Sequence, residues 1–182
     1  MTLAGIFDLC QEIELRHAKL YAMLSLQLGK VDERVARFWQ QMSAEAWEYY
    51  IFVDLGRSLC AKSSALDTPT TPTPDVPAER ILHRLNEYEK RIRTEQVTLN
   101  QSFEIAIAIE GGESTEIYAA LLSTIKSAIY YNNQPHMLNR ITQIEKDRQA
   151  HVGRLIDATR RLSKDPDLVR RAHRLKHYHQ SI

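Results

Sequence analysis

The six prolines of this 182-residue chain fall in only three places: four lie within residues 63–77, and the others are Pro135 and Pro166. Proline lacks the donor that a helical ladder needs, and its ring clashes with the turn before it. Long helices are therefore confined to the stretches between these breaks. Those stretches are poor in glycine and carry apolar residues at a three-four spacing. An all-α fold made of a few long helices is the expectation.

Residues 3–28 form the first helical stretch, with Ile6, Cys10, Ile13, Leu20 and Leu24 on one stripe and His17 within it. Thr2 is its candidate N-cap and Gly29 its stop. Asp32 opens a second helix reaching about residue 61, with Phe38, Met42, Phe52 and Leu55 as core candidates. So short a turn makes the two helices antiparallel neighbours. The proline-rich segment 62–77 reads as an extended crossover, long enough to pass from one end of a bundle to the other. From about residue 78, Ile81, Leu82, Leu85, Tyr88 and Ile92 share a face. "TLNQ" at 98–101 has the form of a capping box and opens a helix expected to reach about residue 127. Pro135 suits the first turn of another, which runs to about residue 163 on Met137, Ile141, Ile144, Leu155 and Ile156. One hairpin, a long connection and a second hairpin describe a ferritin-like four-helix bundle over residues 1–163. Residues 164–182 follow as a basic C-terminal helix or tail.

Composition removes several function classes. With 24 Lys+Arg against 23 Asp+Glu, nothing draws the whole chain to a polyanion, and the basic "RRAHRLKHYH" reads as a solvated or docking helix. Nucleic acid is not an expected partner. No run of 18 apolar residues exists to span a membrane, so no membrane partner is expected. The N-terminus meets acidic residues at once, which argues against a signal peptide and for the cytoplasm. Cys10 and Cys60 form no CxxC pair and read as small buried hydrophobes.

Against this apolar background, each of the four long helices sets ionisable groups on its inner face. The first offers Glu14, His17 and Tyr21; the second, Glu45 and Glu48 beside Tyr49; the third, Glu110 and Glu113; the fourth, Arg148 and His151 with Asp147 one step round. A lone core histidine is usually structural, and an E-x-x-E pair usually faces water. Four helices bringing such groups to mid-height point elsewhere: carboxylates and imidazoles in a bundle core are the donors that iron and manganese take.

These residues resemble the rubrerythrin branch of the ferritin-like superfamily. Glu14 precedes Tyr21 by seven, and "EGGESTEIY" supplies E-x-x-E with Thr115 and then Tyr118, eight residues after Glu110. The resemblance implies a non-haem di-iron or di-manganese oxidoreductase acting on peroxide or dioxygen. Zinc is also possible at such a site. Glu14, Glu45, Glu48, Glu110, Glu113 and His151 would be ligands, with His17 and Asp147 as further candidates. Tyr21, Tyr118 and Arg148 would support them. It also implies a homodimer, an external electron donor and a π-bulge in the third helix, where Gly111 and Gly112 would ease the widening. The chain departs from the family where Glu48 replaces a histidine and Arg148 replaces a glutamate. No rubredoxin-like segment with paired cysteines is present. Five carboxylates (Glu14, Glu45, Glu48, Glu110, Glu113) less Arg148 leave a formal charge of −4, which two divalent cations neutralise. One cation with shared protons is an alternative. So is an inactive ferritin-like bundle, a binding or dimerisation module in which Arg148 takes the place of a metal.

Overall fold

The computed structural model describes residues 2–62, 78–112 and 114–180. Among them are seven helices and no strand: α1 (Leu3–Leu28), α2 (Glu33–Lys62), α3 (Ala78–Thr94), α4 (Leu99–Glu110), α5 (Ser114–Tyr131), α6 (His136–Leu162) and α7 (Pro166–Gln180). The fold is all-α. The crossover expected over 62–77 lies, but for its first residue, outside the described residues.

Local chemistry sets the helix ends. Thr2 accepts from the Gly5 backbone N–H at 3.2 Å, and the Gly29 N–H closes α1 on the Ser25 carbonyl at 2.9 Å. Thr98 and Gln101 form the reciprocal capping box at the start of α4. Asp32 receives the Arg34 backbone N–H at 2.8 Å at the head of α2.

α1 is the central strut. Its buried face (Ile6, Phe7, Cys10, Ile13, Leu20, Leu24) packs along α2, antiparallel to it. The register shows in three pairs: Ser25 Oγ donates to the Ala36 carbonyl (3.0 Å), Ser43 Oγ to that of Ala18 (2.7 Å), and Arg57 to that of Ala4 (3.2 Å). α3 lies along α1 in the same direction, held by Lys19–Glu89 at 2.7 Å and by Gln27 donating to the Glu95 carbonyl at 2.7 Å. α5 packs on α1 and α2, while α6 and α4 both carry α7. Leu168, Ala172 and Leu175 of α7 are buried, so the basic C-terminal helix is docked into the same core.

The third helical segment differs from its expected continuity to residue 127. α4 stops at Glu110, and the Gly111 and Gly112 N–H groups turn back to the Ile107 (3.0 Å) and Ile109 (3.4 Å) carbonyls. α5 begins anew at Ser114, so a helix end stands where the resemblance implies a π-bulge. Two consecutive glycines each disfavour helix by about 1 kcal/mol relative to alanine, and α7 removes the alternative. A Cβ on Gly111 would sit 2.8 Å from Leu175 Cδ2 and 3.0 Å from the Ile107 carbonyl. Its φ is −91°, so close approach rather than a left-handed backbone calls for glycine here.

Gly56 of α2 is tighter still. A Cβ there would lie 2.3 Å from Cδ1 and 2.8 Å from Cγ1 of Ile125, which is fully buried in α5. Gly56→Ala should therefore destabilise the fold by about 1–3 kcal/mol, although alanine is the better helix former. In urea titrations, Ile125→Val should lose less stability in the Gly56→Ala background than in wild type, because it removes the clashing methyl.

Candidate functional site

Inside the bundle, α1, α2, α4, α5 and α6 each turn polar side chains toward one another. Glu14, His17 and Tyr21 come from α1, Glu45 and Tyr49 from α2, Glu110 from α4, Tyr118 from α5, and Arg148 and His151 from α6. The three-four spacing within each helix puts these groups on the faces that also bury Ile13, Met42 and Leu155.

His151 is held at both ring nitrogens. Nδ1 lies 2.6 Å from Glu45 Oε2, and Nε2 lies 3.1 Å from Glu110 Oε1. Carboxylates only accept, so an imidazole between two of them is satisfied when both nitrogens carry protons. Burial alone would lower its pKa, but Glu110 and Glu45 outweigh it and raise the value to about 9. His151 is thus an imidazolium. Burial works against ionisation of Glu110 as well, yet His151 and Arg148 hold its pKa well below the usual carboxylate range. Glu110 Oε1 also accepts from the Tyr21 hydroxyl at 2.7 Å. Glu45 Oε1 takes a 2.8 Å contact from Arg154 and a hydrogen bond from Gln41 at 2.9 Å. Burial of Glu45 is outweighed by the bonds from His151 and Arg154, and its pKa is lowered.

The second half of the cluster centres on Arg148. Its guanidinium reaches Glu14 Oε1 at 3.4 Å and lies 3.9 Å above the Tyr118 ring, with Tyr49 at 5.6 Å. Its Nε finds no acceptor among the described residues. The Tyr118 hydroxyl donates to the Cys10 carbonyl at 3.1 Å, fixing the ring beneath the cation. His17 is buried with Nδ1 3.8 Å from Glu14, and burial lowers its pKa, which leaves the ring neutral. Its other side borders a pocket of about 20 Å³, room for one water, edged by Leu85, Tyr88 and Gly112.

Among the described residues, charge balances within the cluster. Three carboxylates (Glu14, Glu45, Glu110) face three cations (Arg148, His151, Arg154). Of the remaining sequence candidates, Glu48 and Asp147 are exposed on a groove outside the cluster, and Glu113 lies outside the described residues. Among the described residues, no three of His, Cys, Asp and Glu converge as a metal-holding group. Among the described residues the donors are already engaged with cations: a metal pair would have to displace the His151 proton and sit beside Arg148, which cannot lose its own. Sequence reasoning missed Arg154 and Gln41; Arg154 follows His151 by three, a spacing that puts both on one helix face.

Two predictions follow from this geometry. Removing one partner of a buried ion pair leaves the other charge unmatched, so Arg148→Met should destabilise the fold by about 3–5 kcal/mol. Adding Glu14→Gln should recover part of that loss in denaturant titrations. The pH dependence has a definite sign. The His151 pKa is raised from 6.5 to about 9, so its contribution is complete below pH 6.5 and is lost as pH rises toward 9. Melting temperatures of chelator-treated protein should fall across that window, and His151→Gln should flatten the fall.

Comparison of the chain with protein-family models, with curated proteins and with solved structures finds no match.

Proposed function

We propose that this chain is a ferritin-like bundle whose inner cluster is neutralised by its own side chains, with Arg148 standing where a metal would be expected. On this reading it acts as a binding or dimerisation module rather than as a two-metal oxidoreductase. The observation that carries it is the largely buried guanidinium of Arg148, which meets Glu14 and lies over the Tyr118 ring. A permanent cation there supplies the charge that a bound ion would supply. The doubly engaged His151 supports the same reading, because an imidazolium has no lone pair to give a metal.

One observation favours a second reading, a rubrerythrin-like iron protein acting on peroxide or dioxygen. His17 is buried, neutral and beside Glu14, the state in which imidazole ligates metals. Glu14, His17, Glu110 and His151 would then be its donors.

Elemental analysis of protein purified without chelator or metal-affinity resin separates the two. A self-neutralised cluster predicts far less than one metal per chain, and no change in melting temperature on anaerobic addition of ferrous iron. Two irons or manganeses per chain, with peroxide turnover, would establish the oxidoreductase instead. Dimerisation predicts twice the chain mass in sedimentation equilibrium.

A further inference from the structure

Outside the ionic cluster, α2 and α6 face each other across a groove of about 380 Å³. α2 contributes Glu48, Ile51, Phe52 and Leu55, and α6 contributes Arg140, Gln143, Ile144 and Asp147. Each set is spaced i, i+3, i+4, i+7, the stripe with which a helix normally meets its neighbour. In a closed seam these positions would be apolar and interlocked. Here half of them are polar or charged, and the helices leave a space of the size small-molecule sites occupy. Ile51 remains 55 % and Leu55 37 % exposed along it.

The groove has an apolar floor and a charged rim. Ile51, Phe52, Leu55 and Ile144 form the floor, and the Tyr49 ring walls it off from Arg148 and His151. The rim carries two carboxylates, Glu48 and Asp147, against one cation, Arg140. Among the described residues neither Glu48 nor Arg140 has an ion-pair partner, and Asp147 accepts only from Gln143 at 2.9 Å. The rim therefore has a net negative charge over an apolar cleft.

We propose that this groove is a binding site for a small amphipathic organic cation, whose apolar body lies on Ile51, Phe52, Leu55 and Ile144 and whose ammonium meets Glu48 and Asp147. The site lies apart from the ionic cluster, so the proposal holds whether or not that cluster takes a metal.

Three probes of one length and different head groups test it: n-hexylammonium, n-hexanoate and n-hexanol, each titrated into the full chain and followed by two-dimensional amide NMR. Hexylammonium should shift amides in 48–55 and 140–147 and bind at least tenfold tighter than either other probe. Glu48→Gln with Asp147→Asn, both at exposed positions, should erase that preference, while Arg140→Gln should strengthen it. Equal or tighter binding of hexanoate or hexanol would overturn the assignment. So would the absence of shifts in those two stretches, or a preference that survives the double substitution.

Discussion

A guanidinium keeps its proton wherever it is buried, so Arg148 obliges the helices around it to supply an anion and a polarisable face. α1 supplies Glu14 and α5 supplies the Tyr118 ring, with Tyr49 of α2 on the far side. The same demand recurs one turn along α6, where His151 draws Glu45 from α2 and Glu110 from α4. Hydrophobic burial is non-directional and would tolerate a range of helix rotations. The ionic contacts do not: shift α6 by one residue and both His151 nitrogens lose their partners. Polar groups in the core thus fix which way each helix faces, while Phe7, Ile13, Trp39 and Phe103 supply the burial.

The arrangement leans on two close approaches. Gly56 lets α2 meet Ile125 of α5, and Gly111 lets α4 end against Leu175 of α7. The second holds Glu110 at the last turn of α4, where it meets Tyr21 and His151. What first reads as an expense in helix propensity is better understood as the room needed to dock the C-terminal helix beside the polar cluster.

Much of this was legible in the sequence, for local reasons. Caps at Thr2 and Thr98, the stop at Gly29 and the break before Pro166 depend on side chains within a few residues of the helix end. The inward set Glu14, Tyr21, Glu110 and His151 also followed from periodicity, since each has apolar neighbours at helical spacing. Two features were hidden. The apolar pattern runs unbroken through Ile107, Ile109, Ile117 and Leu121, so periodicity alone does not show the helix ending at Glu110. A three-residue spacing spans most of a turn, and nothing local decides which of Glu45 and Glu48 faces inward. The burial of Met42, Ala46 and Tyr49, set by packing on α1, decides for Glu45. Asp147 is turned out by the same logic once Arg148 and His151 take the inner face.

The central claim is that the core is balanced by its own cations, and the protonation of His151 tests it most directly. Nitrogen-15 NMR of ring-labelled histidine distinguishes an imidazolium, whose two nitrogens resonate close together, from a neutral ring, whose nitrogens are far apart. At pH 7.5, in protein carried through purification without added metal or chelator, the account predicts that both His151 nitrogens are protonated. A neutral His151 with one nitrogen unprotonated would contradict it, and would return that nitrogen to the pool of donors open to a metal.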